Sequence, residues 1–134
     1  MASLTRQMAT FFESSRFAVV GASTDKKKFG NRVLCWYIDH QKPVTPVHPK
    51  EREIEGIAAI PSLADLTGEP TDVSVSVITP PAVTKGVLEQ GVAKGITKFW
   101  LQPGAEFPGW QAFADEHKVL VIAQGPCVLR DAKL

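Results

Sequence analysis

Apolar residues fall along this chain in short dense runs, separated by longer stretches where they recur every three or four positions. Residues 17–20 (FAVV), 43–47 (PVTPV), 73–78 (VSVSVI), 96–101 and 119–122 are the runs. Each is short and mostly rich in β-branched or aromatic residues, the signature of a buried strand. Between them, Val33, Leu34, Tyr37 and Ile38 mark one face of a helix over about 30–40. Val83, Val87, Leu88, Gly91 and Val92 carry a second helix to Gly95, opened by Pro81 where a missing N–H costs nothing. Trp110, Phe113, Ala114 and His117 mark a third. Ahead of all these, Leu4, Met8, Phe11 and Phe12 predict an amphipathic helix over 3–14, capped by Ser3 and packed on the rest. Residues 54–60 have no clean period, and 62–66 read as a short capped helix.

Strands alternating with helices at this spacing predict an α/β fold. The expected form is a Rossmann-like, doubly wound, parallel five-stranded sheet of order 3-2-1-4-5 with helices on both faces. No repeat, low-complexity tract or linker interrupts it, so residues 1–134 are expected to form one domain.

Such a sheet binds ligands outside the carboxyl ends of its strands. The segments there are 21–30, 47–50, 78–81, 102–104 and 124–127. The first is the most telling: strand 17–20 runs into Gly21-Ala22-Ser23, a loop with Lys26, Lys27 and Lys28, and then Gly30 at a helix start. Free N–H groups and the dipole at a helix N-terminus favour an anion, and the lysines add to that field. A phosphorylated ligand is expected.

Composition changes this picture little. With 15 basic and 14 acidic residues the formal charge is +1, so nothing draws the whole chain toward nucleic acid or an anionic membrane. No apolar run approaches the roughly 20 residues of a membrane-spanning helix. No signal-peptide pattern opens the chain, and two cysteines make no disulfide framework; a reduced, cytoplasmic setting is expected.

The dinucleotide fingerprint is not met. G-x-G-x-x-G from Gly21 needs glycine at 23 and 26, where Ser23 and Lys26 stand. The acidic residue that an NAD site wants after the second strand is replaced by His48-Pro49-Lys50. Lys50, with Lys26, Lys27, Lys28 and Arg32, suits a ligand richer in phosphate than NAD.

Val20-Gly21-Ala22-Ser23 with the lysine loop to Phe29-Gly30, followed by Pro46-Val47-His48-Pro49-Lys50 and Glu55-Gly56, resembles the CoA-binding domain family. That family includes small stand-alone YccU-like proteins, and its Rossmann-like fold is shared with the succinyl-CoA synthetase α subunit. Ser62-Leu63, Thr79-Pro80-Pro81, Trp100-Leu101-Gln102-Pro103-Gly104 and Cys127 also match in order, so the resemblance runs from about residue 12 to 129. It implies that coenzyme A, free or as an acyl-CoA, is the ligand. Gly21, Ala22 and Ser23 would bring amides and a hydroxyl to the phosphates, near Gly30. Lys28, Arg32 and Lys50 would supply charge. Val47, His48 and Pro49, with Thr79 and Pro80, would flank the adenosine, while Gln102, Pro103 and Gly104 would border the pantetheine arm. Two departures stand out: His48 replaces the family's usual asparagine, and Gly125-Pro126-Cys127 replaces Asp-Arg-Cys.

Other chemistry is not signalled. His40, His48 and His117 are too scattered for a metal site, and Asp39, Glu106 and Asp115 form no acid–base pair but fall on expected solvent faces. Ser23 lacks a nucleophile elbow and a base. Cys127 reads either as a small buried residue ending the last strand or as a thiol that meets the thiol of CoA in a mixed disulfide; Cys35 reads as packing. The expectation is a small-molecule binder without catalysis of its own, with no nucleic-acid or membrane partner, as a monomer or homodimer. The alternatives are a minimal NAD(P)-dependent oxidoreductase and an interaction module with a vestigial pocket.

Overall fold

The computed structural model describes residues 3 to 132. Helix α1 (Leu4–Phe12) leads into β1 (Arg16–Val20), α2 (Phe29–Asp39) and β2 (Val44–Val47). A small antiparallel hairpin follows, β3 (Glu53–Ile54) and β4 (Ile57–Ala58), occupying the segment without a clean period. Two 3-10 turns, Leu63–Asp65 and Pro70–Asp72, precede β5 (Val73–Val77). The chain then alternates through α3 (Pro81–Lys94), β6 (Lys98–Leu101), α4 (Trp110–His117), β7 (Leu120–Ile122) and a last turn of helix, α5 (Val128–Asp131).

The five long-range strands are all parallel, in the order β2-β1-β5-β6-β7. Outside β2, Ile60 adds a single isolated parallel bridge to Val47. Strand order reverses between β1 and β5, which creates a crevice above their carboxyl ends.

The sheet separates two apolar layers. One contains Phe11, Phe17, Tyr37, Trp100 and Val128, under α1, α2 and α5. The other contains Val75, Val77, Leu88, Phe99 and Phe113, under α3 and α4. Strand β5 shows how its sequence serves both. Val73, Val75 and Val77 enter the second layer, and the intervening serines face the first, where each finds a partner. Ser74 Oγ donates to the Phe11 carbonyl at 2.5 Å and pairs with Ser14 Oγ at 2.8 Å, and Ser76 Oγ pairs with the Tyr37 hydroxyl at 2.6 Å. The V-S-V-S-V alternation thus marks a fully buried strand rather than one with a wet face.

Helix α1 is anchored as its apolar spacing predicts. Ser3 Oγ accepts from the Arg6 N–H, and Met8 and Phe11 are buried. Phe11 meets the Trp100 ring edge-on at 5.4 Å. Burying a phenylalanine of this kind contributes about 2–3 kcal/mol. At the 62–66 segment the expected cap takes another form. Ser62 Oγ donates to the Asp65 carboxylate, and the Leu63 N–H is met instead by Gln90 Oε1 from α3.

Candidate ligand-binding cleft

The crevice at the reversal of strand order is built around the turn after β1. Gly21 has φ +93°, and a Cβ there would fall 2.0 Å from the Ile78 carbonyl oxygen. A Cβ on Gly30 would fall 2.0 Å from the Gly21 carbonyl oxygen. The two glycines let β1, β5 and the start of α2 close on one another, work that a dinucleotide fingerprint does with nearer spacing.

Between them the loop is held by side chains rather than by further glycines. Ser23 Oγ accepts from the Asp25 N–H at 3.0 Å, and Asp25 Oδ1 accepts from the Lys27 N–H at 2.9 Å. Asn31, buried at the first turn of α2, donates from Nδ2 to the Ser23 carbonyl at 2.8 Å and to the Glu55 carboxylate at 3.0 Å. Glu55 also holds the Lys26 ammonium at 3.4 Å. Its carboxyl is held below the ordinary glutamate range, first by the Asn31 hydrogen bond and then by Lys26. The β3–β4 turn therefore clamps the loop to the helix. The first N–H groups of α2 have no intrahelical acceptor, and its N-cap residue, Lys28, offers no side-chain cap. These donors are available to an anion.

Three adjoining cavities run along the strand ends. The first, about 320 Å³, is largely apolar; Val20, Val47, Pro61, Leu63, Val83 and Val87 form much of its wall. Val83 is 51% exposed because it faces this recess rather than the core. The second, about 470 Å³, lies over the glycine loop between Ala22, Ser23, Lys28 and Gly30. The third, about 310 Å³, continues past Phe29 and Pro80 to Pro103 and Gly104. Gly21, His48, Pro49 and Thr79 are shared by the first two, and Phe29, Ile78, Thr79 and Pro80 by the last two. An apolar slot, an amide-and-lysine cradle and an open channel thus follow one another.

Most of the residues singled out from the sequence meet here: Gly21, Ala22, Ser23, Lys28, Gly30, Val47, His48, Pro49, Thr79, Pro80, Pro103 and Gly104. Of the three loop lysines, Lys28 lines the cradle and Lys26 is turned to Glu55. Four expected residues stand apart. Gln102 is fully buried, its Oε1 accepting from the Val128 N–H at 3.0 Å, so its side chain fastens β6 to α5 instead of bordering the channel. Cys127 is buried at 8% exposure, with its N–H donated to Asp131. Arg32 lines a separate surface hollow with Cys35, Trp36 and Asp39, and Lys50 extends from the turn beyond Pro49 without lining any of the three cavities.

Some residues were not legible in advance. Asn31 and Glu55 act through the loop, and only the Glu55-Gly56 pair hinted at them. Glu106 is half-buried, with one carboxylate oxygen enclosed and unpartnered, rather than on a solvent face. Cys35 is half-buried and donates to Asn31 Oδ1 at 3.5 Å; burial foremost, with Glu55 and Asp39, pushes its thiol above the ordinary range. Among the described residues no cluster of three or more histidine, cysteine, aspartate or glutamate side chains is arranged to hold a metal ion, and no helix is long and apolar enough to cross a membrane.

Fold and cleft together define an α/β domain with a crevice at its topological switch point. Residues 15–131 match the CoA binding domain model, and the chain belongs to that family. It is 34% identical over 87 residues to the α subunit of an ADP-forming acetate–CoA ligase II from Pyrococcus furiosus. That match takes in 64% of this chain and 19% of that subunit, so the chain spans about a fifth of the curated relative. Among solved structures, a hypothetical protein from Pyrococcus horikoshii OT3 superposes with a TM-score of 0.85 at 25% identity, over 96% of this chain and 89% of the other. A conserved hypothetical protein from Pyrococcus furiosus gives a TM-score of 0.78 at 34% identity, over 85% and 96%.

Proposed function

We propose that this protein binds coenzyme A, free or as an acyl-CoA, along the carboxyl ends of β1, β2, β5 and β6. The observation that carries this reading is the order of the three adjoining cavities. An apolar slot suits an adenine, a cradle of amides with Lys28 suits a diphosphate, and a channel past Pro103 and Gly104 suits a pantetheine arm. Membership of the CoA binding domain family and likeness to part of a CoA ligase subunit support the same ligand. The role proposed is binding, sensing or carrying CoA rather than transforming it.

Calorimetric titration of the purified protein with CoA, dephospho-CoA, NAD and NADP under reducing conditions tests this. CoA is expected to bind, and more tightly than either dinucleotide. Binding of NADP with none of CoA would replace the reading with that of a small oxidoreductase. Silence from all four would leave the cleft without a nucleotide role.

A further inference from the structure

His48 ends β2 and lines both the apolar slot and the phosphate cradle, at the place where the two meet. Its Nδ1 lies 3.0 Å from the backbone nitrogen of Lys50 and 3.0 Å from that of Glu51. A backbone N–H can only donate, so a ring nitrogen that receives two of them carries no proton. Nδ1 is thereby the acceptor of the ring, and Nε2 is the nitrogen left to carry hydrogen. Rotation of the ring by half a turn would put a carbon against both N–H groups and is disfavoured by the same bonds. The main chain is fixed as well, because the His48 N–H donates to the Ile60 carbonyl at 3.0 Å.

Nδ1 of a histidine and Oδ1 of an asparagine stand equally far along the side chain, so an asparagine at 48 would accept the same two N–H groups and close the same turn. What it would lack is the rest of the ring. The turn therefore accounts for Nδ1 and leaves Nε2–H without a hydrogen-bond partner among the described residues, on a residue that borders two cavities.

We infer that His48 is a specificity-determining donor of the cleft: its Nε2–H donates to an oxygen on the ribose portion of the ligand, between the base in the apolar slot and the diphosphate at the Gly21–Gly30 loop. This rests on the CoA reading of the cleft. The acceptor is either the ribose phosphate or a ribose hydroxyl, and both are the same hydrogen-bond chemistry.

Two measurements test it. Long-range proton–nitrogen NMR of the wild-type imidazoles is expected to show His48 protonated at Nε2 alone at neutral pH; a proton on Nδ1 overturns the inference without any ligand being added. Calorimetry then compares wild type with His48→Asn, which keeps the turn acceptor and deletes the donor. Its melting temperature is expected to match wild type, and its CoA affinity to fall roughly 5- to 10-fold, the size of one well-placed hydrogen bond. If dephospho-CoA binding falls by the same factor the acceptor is a hydroxyl; if it is spared, the acceptor is the ribose phosphate. Equal CoA affinity in wild type and variant removes the role from His48 while leaving the cleft reading intact. Failure of the wild type to bind CoA removes both.

Discussion

Gly21 and Ile78 are so close that a methyl group on the first would overlap the carbonyl oxygen of the second, at 2.0 Å. Their backbones belong to the ends of β1 and β5, the neighbouring strands between which the sheet reverses its order. Contact between Gly21 and Ile78 holds the floor of the cleft closed. Gly21→Ala must pay for a left-handed backbone and displace a carbonyl, which is expected to cost about 3 kcal/mol or more. Denaturant unfolding of the variant checks this; a change under about 1 kcal/mol would mean that the loop relaxes freely.

Lys28 and Lys27 are adjacent but face different tasks. Lys28 lines the cradle and makes no cap bond at α2, while Lys27 contributes only its N–H to Asp25. Lys28→Ala is expected to weaken CoA roughly 5- to 10-fold, more at low salt, and Lys27→Ala by less than about twofold. Titration of both variants at two salt concentrations reads the difference. Equal losses would assign the effect to the general charge of the loop.

Glu55 makes the clamp on the loop pH-dependent. Its carboxyl is depressed from 4.5 by Asn31 and then Lys26, so the folded state binds its proton less readily than the unfolded chain. The stability this supplies is present above the unfolded value and is lost as pH falls through the lower folded value. Glu55→Gln imitates the protonated acid. Melting curves of wild type and variant are expected to differ at neutral pH and to converge as the pH falls through the lowered folded value. A gap that persists at low pH would assign the difference to shape instead of charge.

Tyr37 and Ser76 join α2 to β5 through a buried hydroxyl pair 2.6 Å apart. Tyr37→Phe leaves Ser76 without its partner and is expected to cost about 1–2 kcal/mol, while adding Ser76→Ala recovers part of the loss. Burial holds the phenol proton well above the ordinary tyrosine range. Wild-type stability should therefore fall as pH rises past about 10, a component that Tyr37→Phe removes. Unfolding of the single and double variants at pH 7 and 10.5 measures both effects.

Much of the fold was legible because its signals are local. The strand runs at 17–20 and 73–78 are apolar or β-branched enough to need no context, and Pro81 and Gly95 mark the ends of α3 by backbone chemistry alone. The glycine loop pointed to the cleft for the same reason: Gly21, Ser23 and Lys28 are close in the chain, and so is the helix start beside them.

What the sequence could not decide depends on which way a side chain turns once distant segments meet. Gln102 was placed at the cleft by its neighbours Pro103 and Gly104, yet its amide goes to Val128, because the N-terminus of α5 is buried there and needs an acceptor. Three consecutive lysines look alike until Glu55, carried in by a hairpin with no clear period, claims Lys26 and leaves Lys28 to the cradle. Asn31 and Glu55 are 24 residues apart in the chain, and His48 and Ile60 meet only beside the isolated bridge that Ile60 makes to Val47. Periodicity and backbone chemistry thus set the elements and the end of the sheet at which the cleft forms, since both act within a few residues. The partner of each polar side chain was set by long-range packing, where a buried donor must find whichever acceptor the fold brings to it.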